Sequence, residues 1–188
     1  VECLRLNTLI GEILQFARLD KSVDELALTN VNIPELLEKI ISDARFEFAT
    51  KQSSIQLDNS FSCDLWVDER LIYRALENII RNALHFSPVN KIVTISLSTN
   101  DAASELWIAI KDEGPGVPEE QLETIFNPFY RVDSSREKKT GGYGLGLAIA
   151  QKSIQLHQGS IVASNRVNGG LCVRMILPIT KKLGWVIP

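Results

Sequence analysis

Apolar residues recur along this chain with two different periods. Leu6, Leu9, Ile10, Ile13, Leu14 and Ala17 return at intervals of three and four, which lays one apolar stripe along a helix over residues 1–19. The pairs Leu6/Ile13 and Leu9/Phe16 are seven apart, the spacing of a helix-bundle seam. Most of such a stripe is expected to pack on partners outside the remainder of the chain, because the polar stretch Asp20–Glu25 reads as a hinge. A strand is predicted over Leu26–Val31. Next comes a helix with Asn32 as N-cap and Pro34 in its first turn, running to about Thr50 with Leu36, Leu37, Ile40, Ile41 and Ala44 on one face.

Ser54–Leu57 and Leu65–Val67 read as short strands. Asp68 then caps a helix reaching Phe86, whose apolar face is Leu71, Ile72, Ala75, Leu76, Ile79, Ile80 and Ala83. Lys91–Thr99 and Leu106–Lys111 are β-rich runs joined by a polar turn. Beyond Pro115 the pattern breaks. Only Pro118–Ile125 carries a short helical signal before a polar stretch extends to Tyr143, and a loop of that length inside a compact domain is usually functional. A third helix is expected from near Gly144 to His157, followed by closing strands at Ser160–Ser164 and Leu171–Leu177. The order of elements fits an α+β fold. It predicts a two-layer α/β sandwich, with a mixed, largely antiparallel sheet packed on three helices and an N-terminal bundle helix in front.

With 188 residues, 45% of them hydrophobic, the chain can bury a sizeable core. Twenty basic residues against 23 acidic ones give a net charge of −3, which offers no general attraction to nucleic acid. Cys3, Cys63 and Cys172 are widely separated, a pattern that fits a reducing compartment better than a disulfide framework. No run reaches the 18 apolar residues of a membrane span. The chain opens on Val1, so it is expected to be a piece of a longer protein.

The densest chemical signal is Gly141-Gly142-Tyr143-Gly144-Leu145-Gly146-Leu147. Glycines allow backbone N–H groups to approach an anion, and the helix that follows points its positive end at the same place. Neither the dinucleotide fingerprint nor a P-loop fits: Leu147 stands where the former needs glycine, and no Gly-Lys-Ser/Thr occurs. Asp112-Glu113-Gly114-Pro115-Gly116 follows a β run, where a carboxylate can accept a hydrogen bond from the amino group of a flat ligand. Taken singly, it could equally be an ordinary turn. Asn78 and Asn82 lie one helical turn apart on one face, and an amide oxygen there suits Mg²⁺. His85 and His157, the only histidines, lack metal-ligand spacing, and His157 is expected to serve the end of the third helix.

In this order, these motifs resemble the catalytic ATP-binding domain of bacterial sensor histidine kinases, part of the wider family that includes gyrase, heat-shock-90 and MutL ATPases. Asn78–Ala83 resembles the N box, Asp112–Gly116 the first glycine box, Phe126–Arg131 the F box and Gly142–Leu147 the second glycine box. Gly169-Gly170 matches a further glycine pair. Asn127-Pro128-Phe129-Tyr130-Arg131 is most similar to the EnvZ-like group.

The resemblance implies that Asp112 reads the adenine amine, beside Gly114 and Gly116, and that Asn82 supplies an oxygen to Mg²⁺ with Asn78 nearby. Gly142, Gly144, Leu145, Gly146 and Leu147 would surround the phosphates. An ATP lid would span about 117–143, with Phe126 and Phe129 docking it and Arg131 adding positive charge. His85 stands where these sensors usually carry Lys or Arg, and its charge would depend on pH; Phe86 stands where Tyr is frequent.

Residues 1–22 would be the second helix of a dimerisation hairpin and 23–188 the catalytic domain. The phosphoacceptor histidine would lie upstream, since neither His85 nor His157 is suitably placed. Implied partners are ATP, a response-regulator receiver domain and a second copy through the hairpin. The setting would be the cytoplasmic portion of a bacterial inner-membrane sensor, anchored only through upstream segments. Two alternatives stand beside this: an ATP-hydrolysing switch of the gyrase or heat-shock-90 type, for which Glu77 ahead of Asn78 would be the catalytic glutamate, and a non-catalytic nucleotide sensor.

Overall fold

A computed structural model describes residues 2–19, 26–49, 54–58, 63–100, 102–132 and 142–179. The hinge at 20–25, Thr50 and lid residues 133–141 lie outside the described residues. The elements are α1 (Glu2–Leu19), β1 (Leu28–Asn32), α2 (Ile33–Glu47), β2 (Ser54–Asp58), β3 (Asp64–Asp68), α3 (Glu69–Phe86), β4 (Ile92–Thr99), β5 (Glu105–Lys111), α4 (Gly146–Leu156), β6 (Ser160–Asn165) and β7 (Leu171–Pro178). Between β5 and α4 lie two short 3-10 turns, Glu119–Gln121 and Thr124–Phe126.

Five strands form one sheet in the order β2-β4-β5-β7-β6. Only β2 and β4 run parallel; the remaining neighbours are antiparallel. Alternation along each strand decides which face is covered. Val93, Ile95 and Leu97 of β4, Leu106, Ile108 and Ile110 of β5, and Val173, Met175 and Leu177 of β7 are buried. They join α2, α3 and α4 in a single core, giving the expected two layers. One feature departs from the expected single sheet: β1 and β3 pair with each other as a separate antiparallel ribbon. The 3.6-residue period of α3 buries Ile72, Ala75, Leu76, Ile79, Ile80, Ala83 and Leu84. At roughly 1.5–3 kcal/mol for each large aliphatic side chain, that face anchors the helix which carries the two asparagines.

The caps match the expected ones. Asn32 Oδ1 accepts from Glu35 N–H at 3.0 Å, and Asp68 Oδ1 accepts from Arg70 and Leu71 N–H at 3.1 and 3.3 Å. Helix α4 begins at Gly146 rather than near Gly144, because Gly144 has a φ of +75°, which no right-handed helix accommodates.

Helix α1 divides its apolar residues between two sides. Leu19 is buried with Leu145 and Ile149 of α4, joined by Leu9 and Phe16. Leu6, Ile10, Ile13 and Leu14 remain exposed, so the stripe is only partly covered by its own chain, as expected of a bundle helix. Glu12 is half-buried on the same helix. Desolvation pushes its carboxyl above the ordinary value, opposed by the charge of Arg81.

His157 ties α4 to the start of α3. Its Nδ1 donates to the Ser153 carbonyl at 2.7 Å and its Nε2 accepts from Asp68 N–H at 2.9 Å. Only the neutral ring protonated on Nδ1 does both. Burial holds the imidazole below its ordinary pKa, outweighing Ser153 and Asp68, which act the other way. The folded chain therefore binds fewer protons here than the unfolded chain as pH drops below about 6.5. Stability should fall with decreasing pH from that point until the folded imidazole itself titrates, and level off above it. His157→Asn should lose this part of the slope when wild type and variant are compared by urea denaturation at pH 5 and 7.5.

Candidate functional site

Asp112 follows β5 directly, 5% exposed. Its Oδ1 accepts from Gly114 N–H at 2.8 Å and from Leu171 N–H at 3.1 Å. Its own N–H donates to the Leu171 carbonyl at 3.0 Å. One carboxylate oxygen, Oδ1, is thus committed to holding the loop. Desolvation raises the carboxyl pKa, and the amides of Gly114 and Leu171 and the charge of Arg166 oppose that rise.

Missing side chains show how closely the glycine segments approach their neighbours. A Cβ on Gly114 would stand 2.8 Å from the Phe86 carbonyl oxygen, so this loop lies against the end of α3. A Cβ on Gly146 would stand 3.2 Å from Asn78 Oδ1, placing the start of α4 against the middle of α3. A Cβ on Gly144 would stand 2.8 Å from the Tyr130 carbonyl oxygen and 2.9 Å from the Phe129 carbonyl carbon. Phe129 N–H donates to the Gly144 carbonyl at 2.8 Å. Gly142 differs: among the described residues nothing lies within 4 Å of where its Cβ would be.

Positions 78, 82 and 86 follow one another at four-residue spacing along one line of α3. Asn78 abuts the start of α4 and Phe86 abuts the Asp112 loop, so Asn82, half-exposed, lies between them. Eight residues at 1.5 Å rise separate the two ends by about 12 Å, a distance on the scale of a nucleotide from its base to its outer phosphates. Helix α4 has no side-chain N-cap, so its first amides are open to an anion at its positive end. His85 stands edge-on to the Phe86 ring with centroids 4.9 Å apart.

The residues singled out from the sequence are placed differently by the structure. Asn78, Asn82, His85, Phe86, Asp112, Gly114, Gly144, Gly146 and Leu147 come together around the line just described. Leu145 contributes differently: its side chain is buried between α4 and α1, so only its backbone is available to a ligand. Glu77 is held in ion pairs, 2.9 Å from Arg74 and 4.0 Å from Arg81, and Arg81 also meets Glu47. Arg131 is exposed at the last described part of the lid before residue 133.

Phe126 is buried with Ile125 in the core and so holds this segment against the domain. Phe129 does not dock through its ring, which is 59% exposed; its main chain makes the contact. Its φ of +64° is a costly conformation for a bulky residue and is held by the Gly144 hydrogen bond.

Two residues the sequence did not single out, Asn165 and Arg166, border the Asp112 loop. Their one linear signal is a position just ahead of Gly169-Gly170. Gly116, with a φ of +75°, lies against Asn165.

A family model described as "Histidine kinase-, DNA gyrase B-, and HSP90-like ATPase" matches residues 67–181. The chain is 37% identical over 179 residues to the sensor histidine kinase WalK of Bacillus subtilis, covering 94% of this chain and 29% of that protein. It is 33% identical over 184 residues to the sensor histidine kinase CpxA of Escherichia coli, covering 96% and 39%. It thus spans under two-fifths of either relative. Among solved structures, full-length ShkA in complex with AMPPNP superposes with a TM-score of 0.81 at 26% identity, over 95% of this chain and 37% of that one. Histidine kinase ThkA in complex with response regulator TrrA gives 0.73 at 26% identity, over 95% and 48%.

Gly144→Ala should separate the site from the fold. Its Cβ would press on the backbone at Phe129 and Tyr130 and adopt a φ unfavourable by about 1–3 kcal/mol. The helical circular-dichroism signal should persist while binding of a fluorescent ATP analogue falls at least tenfold.

Proposed function

The chain belongs to the histidine kinase-, DNA gyrase B- and HSP90-like ATPase family, and on that premise we propose that it is the ATP-binding catalytic part of a sensor histidine kinase. It would transfer the γ-phosphoryl group of ATP to a histidine elsewhere in the protein, for relay to an aspartate of a response-regulator receiver domain. The observation that carries this reading is the convergence of Asp112, the Asn78-Asn82-Phe86 line and the start of α4.

In this reading the adenine amine donates to Asp112 Oδ2, and Gly114 clears the space beside it. The phosphates take the backbone amides from Gly144 to Leu147 at the start of α4. The donor set fits Mg²⁺: an amide oxygen of Asn82, aided by Asn78, supplies one neutral ligand, and phosphate oxygens and water complete an oxygen-only shell. Among the described residues no three His, Cys, Asp or Glu side chains cluster at metal distance. The ion would neutralise charge on the outer phosphates.

Phosphoryl transfer is chiefly positioning and charge stabilisation, so the chain needs no nucleophile of its own. Arg131, exposed at the end of the described part of this segment, would add positive charge near the phosphates, and His85, beside Phe86, would add charge to the site only when protonated. Gly116 and Gly142 act through the loops they belong to.

The acceptor is assigned to a segment preceding α1. His157 is committed to Ser153 and Asp68, and α1 carries no histidine. The open side of α1 is assigned to the second copy of a dimerisation hairpin. Among the described residues no helix is long and apolar enough to cross a membrane; membrane attachment is proposed for segments upstream of α1. An ATP-hydrolysing switch would require Glu77 to activate water, and its engagement by Arg74 and Arg81 weighs against that role.

Asp112→Asn replaces the adenine acceptor and should weaken ATP binding by about 1.5–3 kcal/mol, roughly 10- to 150-fold by titration calorimetry; an unchanged affinity would remove Asp112 from the site. Asn82→Ala should abolish the Mg²⁺ dependence of nucleotide binding while leaving the circular-dichroism spectrum unaltered. A protein extended upstream through the hairpin should take up label from γ-labelled ATP, and binding without transfer would favour the sensor alternative.

A further inference from the structure

The corner between β6 and β7 ties down both ends of the Asp112 loop. Asn165, the last residue of β6, offers its side-chain amide to both main-chain groups of Val117. Val117 N–H donates to Asn165 Oδ1 at 2.9 Å, and Asn165 Nδ2 donates to the Val117 carbonyl at 2.6 Å. The same Nδ2 donates to Glu119 Oε1 at 3.0 Å. One amide side chain thereby does what a neighbouring strand would do for the first residue of the lid. The approach is possible because residue 116 is glycine: a Cβ there would stand 2.6 Å from Asn165 Oδ1.

Arg166 holds the other end, its guanidinium donating to the Asp112 carbonyl oxygen. Gly170 packs onto the same carbonyl, at a φ of +95° where a Cβ would overlap it. The corner itself is closed by Arg166 N–H to the Gly170 carbonyl at 2.9 Å and Gly169 N–H to the Arg166 carbonyl at 3.0 Å.

We propose that Asn165 is a positioning residue for nucleotide recognition, fixing the point where the lid leaves the Asp112 loop and so holding the Asp112 carboxylate rigid enough to prefer ATP over GTP. This rests on the role given to Asp112 above. Adenine presents an amino donor where guanine presents a carbonyl acceptor. A carboxylate that cannot move accepts from the first and repels the second. Freed at Val117, the loop can turn the carboxylate aside, which weakens ATP binding and relieves the repulsion of GTP.

The test is calorimetric titration of the 188-residue chain with Mg-ATP and Mg-GTP, alongside melting temperatures. Asn165→Ala should lower ATP affinity about tenfold, the scale of one or two lost hydrogen bonds, and narrow the ATP-to-GTP ratio by a similar factor. Asn165→Asp retains the acceptor for Val117 N–H but sets a carboxylate against the Val117 carbonyl and Glu119, and should lose ATP preference as well. Adding Glu119→Gln, whose amide can donate to the new carboxylate, should restore part of that preference.

A purely structural Asn165 would lower the melting temperature and leave the ratio unchanged in every folded variant, which would overturn the proposal. Should Asn165→Ala fail to fold, the Asn165→Asp and Asn165→Asp/Glu119→Gln pair decides the matter by the same ratio. Asp112→Asn is measured in parallel. No effect there removes the role of Asp112, whereas an effect there with none in the Asn165 variants removes only the present proposal.

Discussion

A carboxylate buried at the end of a strand, with one oxygen committed to two backbone amides of the fold, is the constraint around which the structure is arranged. Burial of Asp112 is unfavourable for its charge, and the Gly114 and Leu171 amides partly offset that cost. Both donors come from segments that must be brought to the same place: Gly114 from the loop after β5, Leu171 from the start of β7. Their arrival requires Gly114 against the end of α3 and Gly170 against the Asp112 carbonyl. The end of the site proposed to read the base is therefore assembled by the same contacts that join β5, β7 and α3.

At the other end the donors are neutral. In the proposed reading the backbone amides at the start of α4 would donate to the phosphates and the asparagine oxygens of α3 would face the cation, in a chain whose net charge is −3. Neutral dipoles in fixed positions stabilise charge without a flexible side chain to order first. The burden then falls on backbone geometry, which explains why Gly144 has a φ of +75° and Phe129 bears one of +64°. Phe126, buried in the core, holds the segment that carries this strain.

Much of this was legible in the sequence because it depends on local rules. The 3.6-residue stripe of α3, its Asp68 cap, the Asn32 cap of α2 and the alternation in β4, β5 and β7 each identify an element by its own residues. Asn78 and Asn82 could be placed on one face of a helix from spacing alone. What was not legible depends on partners distant in sequence. The pairing of β1 with β3 joins runs separated by a whole helix, and nothing in either run selects the other over the main sheet. Asn165 looks like an ordinary strand-end residue until Val117 is set beside it. The aromatic character of Phe129 suggested a docking ring, whereas its backbone dihedral, invisible in the sequence, turns the ring outward. Glu77 was legible by position, but its engagement depends on arginines one turn to either side.

Leu145 occupies a double position. Its peptide belongs to the run that surrounds the start of α4, while its side chain is gripped by Leu19 of α1. The residue is thus a rigid tether between a helix with an uncovered apolar flank and the amides assigned to phosphate. Whatever takes hold of that flank and rotates α1 must also tug on this one peptide, or else strip Leu145 of its apolar cover. Movement of α1 and the position of the peptide just ahead of α4 are consequently coupled through a single side chain's seating.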